Sequence, residues 1–175
     1  MKIVAIILMV SVLLVGCSKE INTQPISATK QDGDFKVTLY ADNAVYHKDK
    51  KINVWANLLY NGKKESITVW HSKPLLAFSI KDDNGLFKKH KFFFDAIGMS
   101  TNIKKGIAYN QNYVKKGGWN GSDPNADFYD KFYSEPNLYL PVGKYTIAIG
   151  AFFEIKGNPE EKFEIIAELP IQVVK

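Results

Sequence analysis

The sequence predicts an all-β domain, an antiparallel sandwich of about eight strands with one short helix. Apolar and polar residues alternate with a period of two through most of the chain beyond residue 34, as they do in strands with one buried and one solvated face. Turn pairs such as Asn61-Gly62 and Asn84-Gly85 separate the alternating runs, and the runs recur every eight to twelve residues or so, the rhythm of a sandwich. Helical periodicity is nearly absent after the first twenty residues.

The amino-terminal stretch MKIVAIILMVSVLLVGCSKE has Lys2, a mostly apolar run from Ile3 to Val15, and then Gly16-Cys17. This order of charge and apolar run is that of a secretory signal peptide, residues 1–16. A membrane-spanning helix needs about 20 apolar residues, so the run is too short to remain as one. Leu14-Val15-Gly16-Cys17 resembles the lipobox of bacterial prolipoproteins. The resemblance implies cleavage before Cys17, a lipidated amino terminus and an extracytoplasmic address on the bacterial membrane. Two acyl chains hold a protein on a bilayer stably where one does not. Cys17 is also the only cysteine, so lipidation leaves no thiol for a disulfide, a metal or a nucleophile.

Residues 17–34 read as the lipidated Cys and a flexible tether. SKEINTQPISATKQDGD is polar, holds Pro25 and Gly33, and shows no apolar period; as a random coil it would reach about 20–25 Å. Residues 35–175 then have the size of one domain, large enough to bury a core without covalent staples.

Within that domain Phe35, Val37 and Leu39 alternate with polar neighbours, as do Ile52, Val54, Ala56 and Leu58. Asn61-Gly62 suits the positive φ angles of a hairpin leading into SITVW. Pro74 interrupts, and LLAFSI follows with Leu76, Phe78 and Ile80 on one side. Asn84-Gly85 is expected to turn the chain into KFFFDAIGMS as a second hairpin, and GIAYNQNYV is a weaker strand. Two long runs, GKYTIAIGAFFEI and EKFEIIAELPIQVV, are joined by Gly157-Asn158-Pro159; the second places Phe163, Ile165, Ala167, Leu169, Ile171 and Val173 on one face.

This architecture resembles the immunoglobulin-like sandwiches of bacterial surface proteins. LYLPVGKYTIAIGAF, with Val142 between Pro141 and Gly143, and KINVWANLLYNG also resemble the BsuPI-type proteinase-inhibitor fold. That likeness implies a binding role, with inhibition of an exported protease as one form of it.

GWNGSDPNADFYDKFYS, from Gly118 to Ser134, holds the densest polar and aromatic pattern. A calcium loop of the EF-hand kind needs Gly at position 6 and Glu at position 12. Counting from Asp123, those positions hold Phe128 and Ser134, and a bulky residue is disfavoured where φ is positive. As a helix start the same residues fit: Asp123 as N-cap, Pro124 at the first position, Asp127 in the first turn. The helix is expected from Pro124 to about Tyr133, ending before Pro136. Calcium or another metal held by Asp123, Asn125, Asp127 and Asp130 stays the alternative if these side chains converge in a loop.

The formal net charge is +5, and every basic residue is Lys. Without guanidinium forks for phosphate and base edges, no nucleic-acid partner is expected. The lysines fall in pairs beside turns, including Lys88-Lys89 and Lys115-Lys116. Such pairs protect strand edges or attract an anionic surface. His47, His71 and His90 each stand alone, without the spacing of a metal site. No nucleophile elbow, phosphate loop or dinucleotide fingerprint occurs, and no cofactor is expected.

Trp119, on a Gly-rich loop, and Phe93, the middle ring of FFF, are candidate contact residues for a protein or cell-wall polymer, together with Lys115 and Lys116. The expectation is a non-catalytic, surface-tethered interaction module. The alternative is a metal-dependent hydrolase or calcium-binding domain using Asp123, Asp127 and Asp130. A two-lobed solute-binding lipoprotein is disfavoured by the size of the domain.

Overall fold

The computed structural model describes residues 24–175. The signal peptide and Cys17 lie outside the described residues. Nine strands and one helix follow in the order β1 (Ile26–Asp32), β2 (Phe35–Ala41), β3 (Val45–His47), β4 (Val54–Tyr60), β5 (Ser66–Asp82), β6 (Asp95–Lys104), β7 (Tyr109–Asn112), α1 (Ala126–Ser134), β8 (Gly143–Ile155) and β9 (Asn158–Val174). They form two sheets, β1-β2-β4-β7 and β3-β9-β8-β5-β6. All pairings are antiparallel except β3 with β9, which is parallel. The all-β sandwich is as expected, with one strand more.

The alternating residues supply the core. Phe35, Val37 and Leu39 of β2 and Val54, Ala56 and Leu58 of β4 are buried in one sheet. Leu76, Phe78 and Ile80 of β5, Ile147 and Ile149 of β8, and Ile165 to Val173 at alternate positions of β9 are buried in the other. Phe35 meets Phe153 and Phe163 across the interface at 4.8 Å each. The β8–β9 hairpin turns at Gly157, whose φ of 88° is left-handed, a conformation open to glycine at little cost.

Four expectations are corrected. First, Ile26–Asp32, read as tether, is strand β1, paired with β2 along its length. Its order comes from backbone pairing through a turn at Gly33, φ 52°, and from a Thr29–Thr38 hydroxyl bond of 3.1 Å. Only Ile26 and Ala28 add apolar contact, too few to show as a period. Second, Asn61-Gly62 does not close a hairpin: β4 and β5 lie in different sheets, so this turn carries the chain across the sandwich. A side chain at Gly62 would meet Asp34 and the Tyr60 hydroxyl, which explains the glycine without a positive φ.

Third, Pro74 does not divide SITVW from LLAFSI. Both belong to the 17-residue β5, with register shifts at residues 71–76 that accommodate a residue lacking the ladder N–H. Fourth, Asn84-Gly85 reverses the chain but no two-residue hairpin ladder follows. β6 begins only at Asp95 and pairs with the first half of β5, Ser66 to Lys73. Between them, residues 83–94 run alongside the second half of β5, held by one backbone bond, from Asp82 N to the Phe87 carbonyl at 3.0 Å, and by side chains. Asp82 accepts bonds from the amides of Leu86 and Phe87, and the Ser79 hydroxyl accepts one from Lys91 N at 2.8 Å. Phe92 and Phe94 both rest on Phe152.

Tyr145, near the start of β8, donates from its hydroxyl to the carbonyl of Pro141 at 2.8 Å. This is the geometry of a tyrosine corner, a recurring device of immunoglobulin-like sandwiches. Burial pushes the Tyr145 hydroxyl up to about 12, so it stays a donor at neutral pH.

Candidate functional site

The segment 83–94 and the stretch that leads from β7 into α1 face each other across a cleft of about 570 Å³. That is within the range of ligand pockets. Segment 83–94 contributes Gly85 to Lys89, Lys91 and Phe93. The opposite wall is Tyr113, Lys116, Gly118, Trp119, Asp123 to Asn125, Tyr129, Phe132 and Tyr133, and the floor is Phe78 to Ile80 of β5.

The helix holds the walls together. Phe132 is buried and packs on Phe87 at 5.2 Å between ring centres, while Phe128 and Tyr129 flank the same ring. The Tyr129 hydroxyl donates to the carbonyl of Leu86. Phe78 meets Tyr113 edge-on at 5.2 Å. An aromatic seam therefore ties α1 to segment 83–94, and a further aromatic contact ties Tyr113, just beyond β7, to β5.

The helix begins later than expected, at Ala126 with Asn125 in the cap position and no side-chain cap bond. Asp123 closes a tight turn ahead of it: its Oδ1 accepts from Asn125 N and its carbonyl from Ala126 N, both at 2.9 Å. Asp and Asn take such turns because their short side chains reach the backbone two residues on. The helix ends at Ser134, before Pro136, as expected.

Of the four contact residues singled out from sequence, three meet in the cleft. Trp119 is 39% exposed and Phe93 37%. Trp119 lies parallel to Tyr133, with ring centres 5.4 Å apart and 1° between planes. Gly117 makes this possible, since a side chain there would strike the Tyr133 ring. Lys116 also lines the cleft, and its Nζ donates to Asp95 Oδ1 at 2.7 Å. That bond holds the Asp95 carboxyl below its usual range.

Lys115 does not belong with them. Successive side chains of extended backbone point to opposite sides, and Lys115 turns toward the helix end. Its Nζ donates to the carbonyls of Phe132 and Glu135, 2.6 Å each, and sits 4.2 Å from the centre of the Phe132 ring. It satisfies carbonyls that a helix end leaves unpaired. Burial draws its ammonium below the usual lysine range.

The acidic stretch is dispersed. Asp127 and Asp130 are exposed on α1 while Asp123 is engaged in its turn. Among the described residues no three His, Cys, Asp or Glu side chains are placed to share a metal. The histidines stand on separate elements. His71 bonds Ser72 O and Thr101 Oγ1, 2.8 Å each; His47 bonds Lys175 O at 2.9 Å; His90 lies 3.3 Å from Ser79 Oγ.

Sequence reasoning missed Lys88, Lys89 and Lys91 as site residues, along with Tyr129 and Tyr133. The signal was three lysines immediately before Phe92, but they read as turn residues because the opposite wall lies about 30 residues further along the chain. Lys88, Lys89 and Lys91 are exposed and form no ion pair among the described residues. Among the described residues Asp123 is the one carboxylate in the lining, and no His or Cys belongs to it. Burial raises the hydroxyls of Tyr113 and Tyr133, so at neutral pH they are uncharged. The cleft thus offers flat aromatic surface and ammonium groups, and at its floor the buried Ser79 hydroxyl, which accepts from Lys91 N, lies 3.3 Å from His90 Nδ1.

No protein-family model matches the chain, and comparison with curated proteins returns no match.

Proposed function

We propose that this chain is a bacterial lipoprotein, anchored through Cys17 outside the cytoplasmic membrane, whose sandwich acts as a non-catalytic binding module. The observation that carries the binding role is one cleft in which Phe93, Trp119 and Lys116 meet Lys88, Lys89 and Lys91. The Leu14-Val15-Gly16-Cys17 box and its preceding apolar run carry the anchor. The ligand is a protein or cell-wall polymer of the envelope. The Pro141 to Tyr145 stretch, which with KINVWANLLYNG carries the likeness to proteinase inhibitors, forms a tyrosine corner. It therefore speaks for a sandwich more than for inhibition.

Two measurements test the two halves. Fractionation of cells carrying Cys17→Ser is expected to find either unprocessed precursor or protein released from membranes; a processed, membrane-bound variant would overturn the anchor. Detergent-solubilised full chain is expected to be retained by isolated envelope material, with retention lost in Phe93→Ala/Trp119→Ala. Equal retention of the double variant would remove the cleft from the function.

A further inference from the structure

We infer that the cleft takes a linear chain of acidic sugars, an inference that rests on the binding role proposed above. The charge balance selects an anion. Lys88, Lys89 and Lys91 reach the lining without an ion pair among the described residues, Lys116 is neutralised by Asp95, and Asp123 is the only carboxylate there. The form of the charge matters as well. An ammonium is a point charge on a flexible stem, whereas a guanidinium fork suits bidentate capture of one phosphate or carboxylate. Three spaced ammonium groups fit carboxylates repeated along a polymer, each met singly.

The aromatic groups select the ring. Trp119 is held parallel to Tyr133 before any ligand arrives, so its plane is fixed and the surface it exposes is flat. One face of a pyranose is lined by C–H groups and packs on such a plane, while its hydroxyls and carboxylate project sideways toward the lysines. An acidic peptide has no comparable flat face at each charged unit. Phe93, exposed on the opposite wall, gives a second apolar contact across the cleft. Holding the indole in place beforehand reduces the ordering cost of binding.

The test compares four polymers on the mature chain by titration calorimetry: polygalacturonate, polyglutamate, long-chain polyphosphate and neutral dextran. Polygalacturonate is expected to bind at least about tenfold more tightly than polyglutamate or polyphosphate, a difference of about 1.4 kcal/mol, and dextran weakest of all. Lys88→Gln/Lys89→Gln/Lys91→Gln should weaken polygalacturonate about tenfold or more and reduce its salt dependence. Trp119→Ala should weaken polygalacturonate about tenfold while leaving the residual polyglutamate affinity within about twofold. All four positions are exposed, and unchanged melting temperatures will show that the variants fold.

Equal affinity for polyglutamate or polyphosphate, independent of Trp119 but dependent on the lysines, overturns the sugar assignment and leaves the cleft as an anion site. Polygalacturonate binding that ignores both the lysines and Trp119 overturns the cleft itself. Absence of polygalacturonate binding overturns the inference, and the envelope-retention assay then decides separately whether the cleft binds anything else.

Discussion

Lys115 and Lys116 are neighbours in sequence with opposite uses. One caps a helix end and lies against Phe132; the other lines the cleft and pairs with Asp95. The KK pair announced charge at this place, but which ammonium reached the cleft depended on backbone direction. At the same scale, His90 carries a pH dependence. Burial lowers its pKa from the ordinary 6.5, against the opposing pull of Glu168 on β9 and with help from Lys81 on β5. Its Nε2 lies 3.6 Å from Glu168 without a hydrogen-bond partner among the described residues. A folded-state pKa below the unfolded value means that the unfolded chain binds more protons in the interval between them. Stability from this group is therefore present above about pH 6.5 and lost as pH falls from there through the folded pKa. The melting temperature should drop between pH 7.5 and 5.5, and His90→Gln should flatten that part of the profile. A profile unaltered by the substitution would place the sensitivity elsewhere.

Among the elements, β8 shows how one side chain fixes the entry of a strand. Tyr145 is buried and its hydroxyl ties the strand back to Pro141. Tyr145→Phe keeps the ring and removes only that bond, so it should cost about 1–1.5 kcal/mol. The melting temperature would fall by about 2–6 °C for a chain of this size; thermal denaturation checks this, and no change would show that packing alone sets the corner. The helix α1 illustrates a different balance. Its start was misplaced because Asp123 bonds back into a turn instead of capping, a competition that local sequence does not resolve since the same side chain serves both. Its end ahead of Pro136 is legible, because proline restricts the residue before it, here the extended Glu135, whatever the tertiary setting. The sequence predicts KFFFDAIGMS, residues 91–100, as a hairpin arm after Asn84-Gly85, whereas segment 83–94 belongs to no strand. The Ser79 hydroxyl and Asp82 carboxylate hold it instead, and nothing in its own residues distinguishes side-chain from ladder partners.

For the whole molecule, the folded unit begins before residue 35. Removing residues 1–34 should strip β1 from β2, leave β2 as an open edge and expose the contacts of Ile26 and Ala28. The shortened chain is expected to lose roughly 2 kcal/mol or more and to aggregate more readily through the exposed edge. Denaturant unfolding and light scattering against a chain starting at Gln24 would check this; identical behaviour would return β1 to the status of a tether. The all-β sandwich and nearly all its core faces were determined by sequence alone, because burial on one side of a strand imposes a period of two that needs no knowledge of partners. The assignment of strands to sheets was not, since Asn61-Gly62 turns the chain equally well into a hairpin or across a sandwich. The cleft depended wholly on tertiary structure. Its lysines and its tryptophan lie about 30 residues apart, and the packing of Phe87 against Phe128, Tyr129 and Phe132, with the bond from the Tyr129 hydroxyl to the Leu86 carbonyl, brings their segments face to face.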